Sequence, residues 1–425
     1  MQSLSTWGIK QRLRGLDWNF LGDSALLSVG MVFARILGMA FSLVLVGAFT
    51  PEDYGAIRYA ITLAMIVSVG TQPFGQHVLA RFVGKYKDDA DQLRRILANA
   101  WIILAALFGL TVLVTVPVLF MLGKFNVGIL VIFMGVTLFY TYWGLSRGFL
   151  APHKLIAAYV GSNVVQIALV FLLIYVLEIR SPLVALLIYG LSYLLPLALL
   201  QLFWPFPVTL ELSLLRRDVI DDIVRFSRPI WVSHAGYILY SSIDVLLLEY
   251  YSGTAAVGVY AVAKTLALVF FFVPAGIATL LMPKAAALPR QAHRQLLKTM
   301  LALSMLINGA ILIVYLLLGE WFVRGLFGPQ YVAEMSTSVI LALGMIALGA
   351  HSVITAILVG GGRAGVETIS RIVAVVAAAS AGWLLIPTYG PPGAATAMLV
   401  GTLAALITYG VMASTKMKKT NEERG

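Results

Sequence analysis

Three basic side chains lie inside apolar segments of this chain, where a charge is costly. Arg35 falls in the middle of one apolar run, Arg58 lies near the start of the next, and Lys264 lies inside a later one. A cation at membrane depth costs at least ~2.5 kcal/mol on insertion scales, so it persists where it faces water, a partner or an anionic ligand. Arginine binds phosphate or carboxylate oxygens through two parallel hydrogen bonds. The pattern therefore indicates an anion site, with snorkelling or buried ion pairs as alternatives.

Four further titratable groups in or near apolar runs are candidates for binding, coupling or charge balance. Arg371 follows Glu367 by four residues, the spacing of a local ion pair on a helix, and is also a candidate for the anion site. Asp244 could balance Lys264 or take up a coupling proton or sodium ion. His234 could titrate near neutral pH or remain a hydrogen-bonded polar group. We expect no other cofactor.

The composition decides which elements must position these charges. The 425 residues are 60% hydrophobic and 12% charged, about half the charged fraction of a soluble domain. Such a chain is predicted to be an all-α polytopic membrane protein, because backbone groups in lipid must pair within each segment. The absence of cysteine excludes disulfides, thiol catalysis and cysteine-bound metals. The net charge of +11 resides largely in short loops, which favours a topology signal over nucleic-acid binding.

About twelve apolar runs are long enough to cross a hydrocarbon core of ~30 Å as helices. The expected limits are 23–49, 56–80, 96–122, 127–149, 155–177, 182–203, 228–250, 257–282, 299–318, 335–360, 366–387 and 392–413. The predicted organisation is an interfacial N-terminal segment that is not a cleaved signal peptide (1–22), an N-lobe (23–203), a linker with an amphipathic surface helix (204–227), a C-lobe (228–413) and a tail (414–425).

The basic residues predict the orientation of these spans. Of the 30 Lys and Arg residues, 23 fall in one set of alternating connections and termini, whereas Lys124, Arg180 and Arg324 fall in the other. Cytoplasmic loops carry the excess of positive charge. We therefore expect a multi-pass protein of a bacterial-type cell (inner) membrane, with both termini and the linker in the cytoplasm.

A weak internal repeat relates the two halves. The segment that begins Tyr54-Gly55 resembles the one that begins Val257-Gly258, an offset of 203 residues, and the same offset relates Arg81 to Lys284. Six spans per repeat preserve orientation across the membrane. The repeat predicts two six-helix lobes related by an axis along the membrane normal.

Four segments together resemble a known family. They are GAFTPEDYGAIRYA after span one, YSSIDVLLLEYYSGTAAVGVYAVAKTLA across spans seven and eight, LFGPQY after span nine, and LLIPTYGPPGAATA between spans eleven and twelve. In this order, with about twelve spans, they are similar to the Wzx-type polysaccharide flippases of the multidrug/oligosaccharidyl-lipid/polysaccharide exporter (MOP) superfamily. The resemblance covers nearly the whole chain.

The resemblance implies a MATE-like fold, with two lobes around a cationic cavity, and transport by alternating access. It implies that the substrate is an oligosaccharide linked to a polyprenyl diphosphate, moved from the cytoplasmic to the outer leaflet for surface polysaccharide synthesis. Arg35, Arg58 and Lys264 are similar in position to the cavity cations of related lipid-diphosphate flippases. Membrane lipids, a polysaccharide polymerase and a chain-length regulator are the expected partners, and nucleic acid is not.

Two other functions remain open from the sequence. A drug/cation antiporter of the same fold should have an acidic and aromatic site, whereas the charges here are basic. A membrane-embedded polymerase or glycosyltransferase needs catalytic groups on sizeable outer loops, and the predicted outer loops are short. The chain also lacks the sequence motifs of nucleotide-binding loops, zinc proteases and serine hydrolases.

Overall fold

The computed structural model describes residues 18–422 apart from 204, 207, 209–210, 288–289 and 361–363, and these residues form helices and connections without a strand. The α-helices are α1 (Trp18–Ala48), α2 (Pro51–Val67), α3 (Ala80–Tyr86), α4 (Ala90–Met121), α5 (Val127–Gly148), α6 (Pro152–Phe171), α7 (Pro182–Phe203), α8 (Arg217–Ala267), α9 (Val269–Ala287), α10 (Arg290–Leu326), α11 (Met335–Gly360), α12 (Ala364–Tyr389) and α13 (Pro391–Glu422). Short 3₁₀ and π segments connect or extend some of them, including a π-helix at Phe74–Leu79.

Ten helices of the described chain are long and apolar enough to cross a membrane, or eleven if one bent pair is a single span. The predicted number of about twelve differs because α8 runs through the boundary between spans seven and eight. Gly253, with φ 79° and ψ 177°, interrupts the helical path inside α8. The predicted limits of spans seven and eight fall on either side of this glycine. The number of apolar helices in the described chain confirms the predicted class, an all-helical membrane protein.

The predicted linker differs from the structure in one respect. The amphipathic surface helix expected before span seven is the beginning of α8, which starts at Arg217 and continues into that span. Pro229 lies inside this helix without ending it, so no break separates surface and membrane portions before Gly253. Residues 1–17 of the predicted N-terminal segment, and the last three residues of the tail, lie outside the described chain.

The second span is bent at Pro73, because a proline inside a helix removes a backbone hydrogen bond and its ring clashes with the preceding turn. The parts Pro51–Gly70 and Phe74–Tyr86 differ in direction by 50°, and a π-helix follows the proline. The bend lets the span approach α5 closely. A Cβ atom on Gly75 would lie 2.7 Å from the backbone nitrogen of Thr141, and one on Gly144 only 1.8 Å from the carbonyl oxygen of Gly75. Glycine is required at this crossing because a side chain would meet backbone.

The helix pairs that pack together recur in the two halves of the chain. In the first half α1 packs on α6, α5 on α7, and α6 on α7. In the second half α8 packs on α12, α11 on α13, and α12 on α13. These are the same pairs when the spans of each half are numbered one to six. The division into two six-helix lobes remains a prediction, and the recurring pairs support it.

Small residues on α1 determine which way its arginine points. Gly30 faces Ile156 of α6, where an added Cβ would lie 2.8 Å from a side-chain carbon, and Ala34 is 1% exposed. The opposite face carries Phe33 and Ile36, each 50% exposed and suited to lipid contact. Arg35 lies between these faces and is half-buried, so the helix presents it toward protein.

Candidate functional site

Arg35 lies where side chains from both halves of the chain meet. Its guanidinium lies 5.6 Å from the centre of the Phe271 ring on α9, and it interacts with the hydroxyl of Tyr159 on α6. Within the described chain no carboxylate lies within 4.0 Å of it. Aromatic and hydroxyl neighbours stabilise the cation without neutralising it. Arg35 therefore has aromatic and hydroxyl neighbours, and no acidic partner among the described residues.

Arg58 is also a half-buried cation without a carboxylate partner among the described residues. It lies in the second turn of α2, where the first turn is capped by Thr50, whose hydroxyl accepts the backbone N–H of Asp53. Its neighbours Ile57 and Tyr54 are fully buried. The helix start is thus fixed by capping and packing, and the position of Arg58 along it follows.

Lys264 is paired inside the second half of the chain. Its ammonium donates to Asp244 Oδ2 at 2.6 Å and to the carbonyl oxygen of Ser241 at 3.2 Å. The hydroxyl of Tyr260 donates to the same carboxylate oxygen at 2.6 Å. The Asp244 side chain is 3% exposed and the Lys264 side chain 17%. Charge balance is one of the two roles that the sequence leaves open for Asp244, and the geometry provides that contact.

Arg371 is likewise paired, with Glu367 one turn before it on α12. The two guanidinium contacts to Glu367 Oε1 measure 2.5 and 2.9 Å, and the guanidinium also lies 5.0 Å from the Tyr237 ring centre on α8. The i,i+4 spacing in the sequence indicates this local pair. Arg371 thus contributes little net charge of its own.

His234 lies against a second histidine that the sequence reasoning did not single out. The His234 ring on α8 is 6.2 Å from the His77 ring, which lies in the π-helix of span two. Among the described residues His234 Nε2 is buried without a hydrogen-bond partner. His77 also interacts electrostatically with Arg147 and Glu367. The two halves of the chain therefore meet here through titratable groups, and Arg147 in the last turn of α5 also interacts with His77.

Five tyrosines from four helices lie in one region beside Arg35. The centre of the Phe139 ring on α5 lies 5.4, 5.9 and 5.2 Å from the ring centres of Tyr140, Tyr159 and Tyr193, and the Tyr189 ring lies 5.6 Å from that of Tyr193. Tyr140 on α5 and Tyr159 on α6 interact electrostatically with each other, with Tyr189 on α7, and with Tyr237 on α8. Tyr193 donates to the hydroxyl of Tyr189 at 3.3 Å. We call these five residues the tyrosine cluster.

The sequence reasoning missed the tyrosine cluster. One signal was present, because Tyr189 and Tyr193 are four residues apart and share a helix face. The other members come from separate spans, and only the packing of those spans unites them. The cluster also connects two predicted site residues. Tyr159 contacts Arg35, and Tyr237 contacts Arg371.

On the side predicted to face outward, an ion pair joins the two halves. Lys124, in the connection between α4 and α5, donates to Glu249 Oε1 of α8 at 3.1 Å. Thr254 donates to the same oxygen at 3.1 Å. The Lys124 ammonium also lies 5.2 Å from the Tyr59 ring centre. The halves are therefore closed together at this end.

Comparison with solved structures identifies the fold. An inward-facing multidrug resistance MATE transporter of the MOP superfamily aligns with a TM-score of 0.74 at 16% identity, covering 94% of this chain and 99% of the other. The lipid II flippase MurJ in an inward closed conformation aligns with a TM-score of 0.72 at 15% identity, covering 91% and 87%. A MOP superfamily transporter from Pyrococcus furiosus, described as having a binding pocket of reversed polarity, aligns with a TM-score of 0.64 at 17% identity, covering 93% and 96%.

Sequence comparison identifies the family. No curated protein matches the chain. The profile of a family described as polysaccharide biosynthesis protein matches residues 20–288, which is more than half of the chain. Together with the apolar helices described above, this match shows that the chain belongs to the polysaccharide biosynthesis protein family and is a membrane protein with the fold of these transporters.

Proposed function

We propose that this protein is a flippase that moves a polyprenyl-diphosphate-linked oligosaccharide from the cytoplasmic to the outer leaflet by alternating access. One observation carries the proposal. Arg35 is a cation within a membrane-spanning helix that contacts both halves of the chain and has no carboxylate partner in the described residues. Such a charge costs a few kcal/mol, and an ionisable side chain at membrane depth that lacks an acidic partner is the expected mark of a ligand site or pathway.

The charges of the substrate and of the site are complementary. A diphosphate diester carries negative charge on both phosphates, and it loses its hydration when it leaves the leaflet surface. Arg35 and Arg58 supply guanidinium groups that have no carboxylate partner in the part of the chain that the structure describes, and such groups bind phosphate oxygens in a fork geometry. Lys264 and Arg371, which already have acidic partners, supply polar contacts and little net charge. The polyprenyl chain remains in lipid during transfer.

The paired acids are the proposed coupling groups. Protonation of Asp244 would remove its attraction for Lys264 and return a cation to the site, and Glu367 stands in the same relation to Arg371. A proton is the simpler coupling ion at these pairs, because the lysine ammonium already occupies the place of a cation beside Asp244. A sodium ion would have to displace it.

An antiporter of organic cations is the weaker alternative, because the acids that would bind a cation are already paired. Both candidate acids, Asp244 and Glu367, are neutralised by Lys264 and Arg371, so a cationic drug would find no free carboxylate at either. We also propose that the protein lies in the cell membrane with both termini in the cytoplasm. Its proposed substrate is a lipid-linked glycan, and its proposed partners are a polymerase and a chain-length regulator of the same pathway.

A leaflet-transfer assay tests the function. The full chain is reconstituted in vesicles with a polyprenyl diphosphate that carries a fluorescent sugar, and an impermeant reductant quenches label only in the outer leaflet. The wild type should make nearly all label accessible, whereas Arg35→Ala should leave the inner-leaflet label protected. Arg324→Ala is the control, because that arginine is exposed and pairs within its own helix. Protection of inner-leaflet label in wild-type vesicles would contradict the proposal.

A further inference from the structure

The tyrosine cluster has hydrogen-bonding capacity that the protein itself leaves unused. Tyr193 donates to Tyr189, Gln72 interacts with the hydroxyl of Tyr140, and Arg35 with that of Tyr159. A guanidinium can only donate, so the Tyr159 oxygen is the acceptor in its contact with Arg35. No described residue accepts the O–H groups of Tyr140, Tyr159 or Tyr189. Three hydroxyl donors therefore remain available between the helices.

The chemistry of this surface is neutral, polar and aromatic. Tyr140, Tyr159, Tyr189 and Tyr193 are each half-buried, and Tyr237 is 46% exposed. Their rings offer flat apolar faces and their hydroxyls offer donors and acceptors. Such a site suits a ligand with both apolar C–H faces and many oxygen acceptors. A lipid tail would not use the hydroxyl donors.

The position of Arg35 beside the tyrosine cluster narrows the class of ligand. Its guanidinium lies beside the hydroxyl of Tyr159. A ligand that occupies both places therefore has a neutral group at the tyrosines and an anionic group next to it at Arg35. A sugar joined directly to a diphosphate has this arrangement. We propose that the tyrosine cluster binds the carrier-proximal sugar of the substrate while Arg35 binds the diphosphate. This inference rests on the proposed function.

The wild-type chain should prefer the sugar-bearing lipid. The full chain in lipid nanodiscs is titrated with two probes, a polyprenyl diphosphate without sugar and the same lipid carrying one N-acetylhexosamine. Three new hydrogen bonds at about 1 kcal/mol each, less the cost of ordering the sugar, correspond to a preference of at least roughly tenfold.

Phenylalanine substitutions test the hydroxyl groups without changing the packing. Tyr140→Phe and Tyr189→Phe, which remove hydroxyl groups that do not contact Arg35, should each weaken binding of the sugar-bearing lipid by about fivefold and leave binding of the sugarless lipid unchanged. Arg35→Gln should weaken binding of both lipids. Tyr389→Phe is the matched control, because this tyrosine is 62% exposed at the end of α12, and it should change neither.

The two probes separate the possible failures. Equal binding of both lipids by the wild type, or equal weakening of both by the tyrosine variants, would overturn the glycan site while leaving the diphosphate site intact. Binding of neither lipid would overturn the proposed function and this inference together.

Discussion

Gly55 and Gly258 pack backbone to backbone at the predicted outer end of the protein, and the contact is reciprocal. A Cβ on Gly55 would lie 1.9 Å from the carbonyl oxygen of Thr254, and a Cβ on Gly258 would lie 1.9 Å from that of Pro51. Thr254 follows Pro51, and Gly258 follows Gly55, by the same 203 residues that the internal repeat predicts. Equivalent residues that contact each other in this way are what a two-fold axis produces.

A side chain at this crossing should be incompatible with the outward-closed arrangement. In Gly258→Ala the new methyl group would meet a backbone carbonyl that no rotamer change can move, so α2 and α8 must separate. We expect loss of complementation in a flippase-null strain at normal protein level. Gly276→Ala is the matched control, because nothing lies within 4 Å of its added Cβ. Normal function of Gly258→Ala would show that close contact between α2 and α8 is not required.

The ion pair between Lys124 and Glu249 should stabilise the same closed end. Glu249→Gln removes a pair whose lysine is 44% exposed, so we expect only ~0.5–1 kcal/mol, or about a two- to fivefold change in opening. Ala60 on α2 is buried in the core that α2 shares with α8. The chain has no cysteine, so the rate at which a maleimide labels a single Ala60→Cys variant reports how often this end opens. Faster labelling is expected in Glu249→Gln.

The exposed pair between Arg324 and Glu320 provides the control for that experiment. Both side chains lie on α10 and are 60% and 63% exposed, so Glu320→Gln should leave the labelling rate unchanged. An equal rate in wild type and Glu249→Gln would show that the ion pair does not hold the halves together.

Removal of the Asp244 charge should destabilise the protein. Asp244→Asn keeps an acceptor for the Tyr260 hydroxyl but leaves Lys264 as a half-buried cation without a carboxylate partner, and removal of one member of a fully buried ion pair costs ~3–5 kcal/mol. We expect a lower thermal unfolding midpoint in detergent. Adding Lys264→Met should recover most of the loss, because the uncompensated charge is then absent. If the double variant is no more stable than Asp244→Asn, charge pairing is not the role of these residues.

The unpaired charge of Arg35 predicts a graded effect of substitution. Arg35→Lys keeps the charge but loses the fork, so we expect partial transport activity in the leaflet-transfer assay. Arg35→Ala loses both and should be inactive, with a rate lower by at least about tenfold if ~1.5–3 kcal/mol of charged hydrogen bonding is removed. Equal rates for the two variants would show that charge alone is not sufficient at this position.

Several features follow from the sequence because their physical cause is local. The length of the apolar runs determines the membrane class, and the i,i+4 spacing of Glu367 and Arg371 predicts their ion pair. The repeat at an offset of 203 residues predicts which glycines are equivalent. Each of these depends on neighbours along one helix, or on comparison of one segment with another.

The tertiary structure alone decided which charges remain unpaired and what surrounds them. The sequence left Lys264 and Arg35 as comparable cations, and packing gave Lys264 a carboxylate and Arg35 a tyrosine. The tyrosine cluster and the contact between His77 and His234 join helices far apart in the chain. Such contacts are determined by how whole helices cross and rotate against one another, and no local pattern of residue types contains that information.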